Sequence, residues 1–256
     1  MLTALIPFIA EGVANDWPKA VACLERTLGS VLANPEKDLR VIVVCQDRPP
    51  LKLKDERYVF LQTQHPKPGK SDVPAKHADK GAKVVEAFAA ARDFSSDYVM
   101  IVDADDLISN KLVSYVCQRP EYDAFCMKRG YEWRVGSPYF IVRKSFNQVC
   151  GSAFVWRYNE KVFPGYIGRS KTKLIAELGH NLVEAAMDAE GLRVDKIHEP
   201  KAVYVTGHEN HMYGDYHNLT LKRRLKEWVR SAWRSRPLTP ELKAEFGLAS
   251  IPSAKG

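Results

Sequence analysis

Apolar and polar positions fall into short blocks along this chain, and the blocks separate strands from helices. Leu2 to Phe8 reads as a strand, with Pro7 at an end that opens into a loop. After Asn15 and Asp16, Pro18 suits the first turn of a helix. Val21, Leu24, Leu28, Val31 and Leu32 give that helix an apolar stripe, which stops at Asn34-Pro35. Residues 40–45 are a buried strand, and 59–62 a short third one. Residues 63–79 are polar, rich in Pro and Lys and without periodicity, so they read as a mobile loop. Residues 81–92 form an Ala-rich helix with Val84, Val85, Phe88 and Ala91 inward. Tyr98 to Val102 is apolar without alternation, as in a strand buried on both faces. Residues 107–117 then read as a helix and 122–127 as a strand.

Strands alternating with helices imply a mostly parallel α/β sheet with right-handed crossovers. The second half changes style. Residues 131–133, 139–142 and 151–156 look like antiparallel strands with turns, and 164–172 like a loop. Segments at 172–178 and 181–190 read as helices divided by Gly179, and 201–206 as a last strand. No linker divides the fold. It reads as one domain over 1–217, in two halves that divide at about residue 127. Residues 237–256 read as a loosely ordered tail.

Composition adds limits. The 256 residues have an ordinary soluble composition, and no stretch reaches the roughly 20 apolar residues that span a bilayer. The N-terminal residues lack a basic region and read as a strand, not a signal peptide. The five cysteines are scattered without a CxxC pair, which suits a reducing compartment, and the expected location is the cytoplasm. Net charge is +7, and most of the excess lies in 218–236, where Lys222, Arg223, Arg224, Lys226, Arg230, Arg234 and Arg236 face only Glu227. The rest is nearly neutral, which argues against a nucleic-acid-coating surface. The same segment carries Leu221, Leu225, Trp228, Val229 and Trp233 on one helical face. It reads either as a membrane-surface helix, at the inner face, or as a helix packed on the domain.

The chemistry concentrates at Asp103-Ala104-Asp105-Asp106, directly after the central strand. Three carboxylates this close repel one another unless a cation compensates. The carboxyl ends of such strands are where open α/β sheets bind ligands. Mg²⁺ is commonly held by one or two carboxylates plus substrate phosphates, so a metal–diphosphate site is one reading. A solvated turn with Asp106 or Ser109 capping the next helix is the other. Lys76, Lys80 and Lys83 precede the cluster and suit phosphate, or else a solvated helix face. A calcium loop is excluded, because Ile108 stands where its turn needs Gly.

On these residues the chain resembles the GT-A fold nucleotide-sugar glycosyltransferases, and within them glycosyltransferase family 2, over roughly residues 2–211. Tyr98 to Asp106 looks like the family's hydrophobic strand followed by Asp-x-Asp-Asp. Cys45-Gln46-Asp47, the helix from Gly81, and Val203-Tyr204-Val205-Thr206-Gly207-His208 support it. The resemblance implies a donor pocket of Pro7, Ile9, Asp47, Lys80, Lys83, Asp103 and Ala104. It implies Mn²⁺ or Mg²⁺ held by Asp105, Asp103 and His208, and Asp106 as support or as a donor-sugar contact. The donor would be a UDP-, GDP- or dTDP-sugar, and the acceptor a saccharide or lipid-linked hydroxyl, with inversion. Trp133, Tyr139 and Trp156 would offer a sugar-stacking wall. The family's acidic pair before the late helix is missing, because Gly179-His180-Asn181 stands there. His180, Glu177 or Glu184 would then be the base, or the chain is a GT-A-like binding protein that has lost it. A haloacid-dehalogenase phosphatase would place its Asp-x-Asp at the start of the domain. A nucleotidyltransferase would carry a Gly-rich loop after its first strand, which residues 9–14 do not supply.

Overall fold

The computed structural model describes residues 1–159, 180–207 and 233–249. Glu177, His208 and most of the basic segment, 208–232, therefore lie outside the described residues, as do the side chains of His180 and Asn181.

The first half builds as its pattern predicts. Strand β1 (Leu2–Pro7) pairs in parallel with β2 (Leu39–Cys45) on one side and β4 (Tyr98–Ile101) on the other, and β3 (Tyr58–Gln62) extends the sheet beyond β2. Helix α1 (Trp17–Leu32) starts where Asp16 accepts a hydrogen bond from the Lys19 amide at 3.0 Å, and it buries Val21, Leu24, Leu28, Val31 and Leu32. Leu5, Ile6, Ile42, Val43, Val44 and Val99 are fully buried between the layers. Their burial on both faces explains why these strands read as unbroken apolar runs.

Several segments differ from expectation. Helix α2 (Val73–Ala91) begins two turns before Gly81, capped by Asp72 and with Pro74 in its first turn, so the supposed loop is partly helix. Its early polar side chains face the rim of the sheet, which hid the period. Leu107–Ile108 is not helical. It forms β5, a short strand buried against β11 (Ala202–Thr206). Helix α3 (Leu112–Cys117) follows only after a turn.

Strands β6 (Ala124–Met127), β9 (Phe154–Arg157) and β10 (Val194–Ile197) complete the first sheet, in the order β10-β6-β9-β4-β1-β2-β3. Strand β9 is antiparallel to both its neighbours, and β10 was not anticipated. Helix α4 (His180–Ala189) packs near Phe146–Gln148.

A second, mixed sheet contains β7 (Arg129–Arg134), β8 (Tyr139–Lys144), β11, β5 and β12 (Ser235–Pro237). Helix α5 (Pro240–Glu245) follows β12. Phe246 and Leu248 then enter a core with Leu107, Trp133, Phe140, Val203 and Val205. Residues 237–249 are thus an integral part of the second sheet's packing, not a loose tail. Among the described residues, no helix is long and apolar enough to cross a membrane.

Candidate active site

The carboxyl ends of β4, β1 and β2 lie side by side and form one rim. Pro7 ends β1, Gln46 and Asp47 follow β2, and Asp103 follows β4 by two residues. Helix α2 closes the rim by side-chain contacts. Asp79 accepts from Lys83 at 2.6 Å and from Gln46 Nε2 at 2.7 Å, while Lys83 also donates to the Phe8 carbonyl at 2.7 Å. Lys83 is 1% exposed and fully engaged. It anchors α2 to the loop after β1 and does not face a phosphate, so its place in the donor pocket is corrected.

Lys80 points the other way. Its Nζ lies 2.5 Å from Asp103 Oδ1, with both side chains about a quarter exposed. Burial works against the ammonium, but Asp103, with Asp105 and Asp106 behind it, outweighs burial and raises its pKa. Lys76 lies one turn earlier on α2.

The three acids occupy different environments. Asp103 and Asp105 are partly exposed at the rim, with Ala104 partly buried between them. Asp106 is 1% exposed. Its carboxylate accepts from Ser152 Oγ at 2.7 Å, from Cys150 Sγ at 3.1 Å and from the Val205 amide at 3.4 Å. Burial, then repulsion from Asp105 and Asp103, pushes its carboxyl well above the ordinary range, against the hydrogen bonds from Ser152 and Cys150. Asp106 therefore neither caps a helix nor meets a donor sugar. It braces the loop from beneath.

Ser152 makes that brace continuous. Its Oγ accepts from the Asp103 amide at 2.9 Å while donating to Asp106, and it is fully buried. The sequence reading placed residue 152 inside a strand and missed it. Tyr204 on β11 was also missed. Burial, followed by the charges of Asp106 and Asp105, raises its phenol, which places it beside the cluster.

Asp47 sits at the other end of the rim. Its two oxygens accept from the Glu11 amide at 2.9 Å and from Lys67 at 2.7 Å. Burial tends to raise this carboxyl, but those hydrogen bonds prevail and it lies below the usual aspartate value. Ile9 is partly buried nearby, and its carbonyl accepts from Cys45 Sγ at 3.3 Å. Pro7, Ile9 and Asp47 thus share one rim with Asp103.

Other candidates separate from the rim. Trp156 is 3% exposed within β9 and stacked on Phe154. Trp133 is 6% exposed in the second core, with its indole N–H on the Ser137 carbonyl. Buried rings cannot present a face to a sugar, so neither forms a stacking wall. Tyr139 is 43% exposed, but it lies where β8 pairs with Pro237. Glu184 receives Lys128 at 2.6 Å, Lys196 at 3.2 Å and Asn147 at 3.1 Å. The Lys128 hydrogen bond holds its carboxyl below the usual value, which makes it a poor general base. His180 opens α4.

No protein-family model matches the sequence, and no curated protein matches it. Solved structures do. TarS of S. aureus (residues 1–349), a GT-A-like protein, aligns with a TM-score of 0.50 at 12% identity, over 80% of this chain and 60% of that one. The fold is GT-A-like. Its complex with UDP-GlcNAc aligns with a TM-score of 0.49 at 12% identity, over 84% and 61% of the two chains. The cytidylyltransferase IspD of Francisella tularensis aligns at 0.46 and 15% identity, over 91% and 99%. The chain thus spans about 60% of the TarS fragment it matches.

Asp103 and Asp105 are hard oxygen donors at a GT-A-like rim, and they suit a divalent cation that takes further ligands from phosphates and water. Among the described residues, no group of three His, Cys, Asp or Glu side chains could hold an ion. A cation held there would need further oxygen ligands from outside these residues to complete its shell. The chain's own contribution is to fix the two carboxylates from below and to offer the Lys80 ammonium beside them.

Proposed function

We propose that the protein is a metal-dependent glycosyltransferase that moves a sugar from a nucleotide-sugar donor to an acceptor hydroxyl with inversion. One observation carries the reading: Asp103 and Asp105, partly exposed at the end of the central strand, are faced by Lys80 from the helix that covers the same rim. That arrangement offers oxygen donors to a cation and an ammonium to a phosphate. Pro7, Ile9 and Asp47 border the nucleoside end. The GT-A-like fold, shared with a protein crystallised with UDP-GlcNAc, supports the donor class. The free state of all five cysteines agrees with a reducing compartment such as the cytoplasm.

The pairing of Glu184 with two lysines favours His180 or Glu177 for the base role. An imidazole is suited to it, since its pKa lies near neutral pH. Calorimetry with UDP, GDP and dTDP, with and without Mn²⁺, tests the proposal. At least one nucleotide should bind, and bind more tightly with Mn²⁺. If all three fail to bind under both conditions, the reading is wrong.

A further inference from the structure

The Lys80–Asp103 ion pair has a consequence for the order in which ligands load. The ammonium occupies one oxygen of the very carboxylate that a cation would need, at 2.5 Å. The geometry points to Lys80 as a resident counter-ion that holds the metal position until the donor diphosphate draws it away, so that metal binding is conditional on nucleotide. This rests on the proposed donor site.

A lone cluster of Asp103, Asp105 and Asp106 is self-repelling, and Lys80 relieves that repulsion without any ligand. A divalent ion arriving alone must displace a well-placed ammonium and gains only two partly exposed carboxylates in return. A nucleoside diphosphate changes both terms, because its oxygens attract the Lys80 ammonium and also supply ligands to the ion. Lys80 has the means to move between them. It stands on α2 with a flexible four-carbon stem, a quarter exposed, whereas Lys83 one turn away is buried and tied to Asp79 and Phe8. The helix is therefore anchored by one lysine and leaves the other at liberty to change partners. Because coupling between two ligands is reciprocal, the metal must tighten nucleotide by the same factor that nucleotide tightens the metal.

The test measures Mn²⁺ affinity by electron paramagnetic resonance on the full chain, with and without UDP, GDP or dTDP, for the native protein, Lys80→Gln and Lys80→Ala. Far-UV circular dichroism shows which variants fold, and either one suffices. In the native protein, nucleotide should tighten Mn²⁺ on the order of tenfold or more, within the range usual for coupled sites. Removing the ammonium should tighten nucleotide-free Mn²⁺ by roughly that factor, weaken metal-free nucleotide binding and shrink the coupling. If nucleotide and Mn²⁺ bind cooperatively but nucleotide-free Mn²⁺ affinity is unchanged or weaker in the variants, Lys80 is no placeholder, while the donor site stands. If no nucleotide binds the native protein at all, both the donor site and this inference fall.

Discussion

The two sheets solve different problems with the same apolar residues. The first is mostly parallel, and its strands are covered on both faces. Its core therefore assembles from unbroken apolar runs, such as Leu5-Ile6, Ile42-Val43-Val44 and Val99-Met100. The second is smaller and mixed, and its strands come from segments roughly 70 to 100 residues apart. Strand β12 pairs with β8, β11 pairs with β5 and β7, and Phe246 packs edge-on to Phe140 and Tyr131. The first sheet presents a polar rim and the second an aromatic plug. Asp106 is one place where they meet: it accepts from Ser152, which leads into β9 of the first sheet, and from Val205 in β11 of the second. Stability of the second sheet and geometry of the rim are thus joined but separable.

The largest effect expected on the aromatic side comes from Phe246→Ala. The ring is fully buried, and its loss should cost about 3–5 kcal/mol, the usual range for truncating a core phenylalanine. Chemical denaturation would show it as a lower midpoint. Below that midpoint, the folded fraction should still bind nucleotide. A variant of unchanged stability would mean that residues 246–248 are not part of the core.

Asp105→Ala should do the reverse. Removing one of three neighbouring acids relieves part of their repulsion, so the variant should still fold. The same change should weaken metal-dependent nucleotide binding by roughly a hundredfold, since a metal's charge stabilisation is several kcal/mol and each 1.4 kcal/mol is tenfold. Equal nucleotide affinity with and without Mn²⁺ in this variant is the expected calorimetric result. A variant that kept the native metal response would place the ion elsewhere.

These contrasts also explain what the sequence disclosed. The parallel strands, α1 and the acid cluster were legible because each is a local pattern: an apolar run, a 3.6-residue stripe, carboxylates at a strand end. The start of α2 was not, because Asp79, Lys80 and Lys83 use their positions for the rim rather than for a continuous apolar face. Strand β5 is only two residues long, and its identity depends on β11 arriving antiparallel from far along the chain. The same holds for Ser152, whose value lies in bridging Asp103 and Asp106 across some fifty residues. Trp133 and Trp156 were misassigned for a related reason. Alternation marks a strand, but it does not tell which face a second sheet will cover.

Glu184 gives the smallest and most exacting test of this division, because it has the chemistry of a general base yet behaves as a strut. Its ion pairs with Lys128 and Lys196 tie α4 to the ends of β6 and β10. Hydrogen bonds to charged groups contribute about 1.5–3 kcal/mol each when well made; the 18% exposure of this side chain argues for the lower end. Glu184→Gln should therefore cost about 1–2 kcal/mol at neutral pH. The pH dependence follows from sign. The folded pKa lies below the unfolded glutamate value near 4.3. The stabilisation is thus complete above that value and is lost as pH falls through the lower folded one. Native protein and variant should then converge in stability only as the pH falls from the unfolded value through the lower folded one. If Glu184 were instead the general base, the substitution would abolish turnover while leaving the neutral-pH denaturation midpoint in place. A midpoint that falls, with metal-dependent nucleotide binding retained, assigns it to the scaffold.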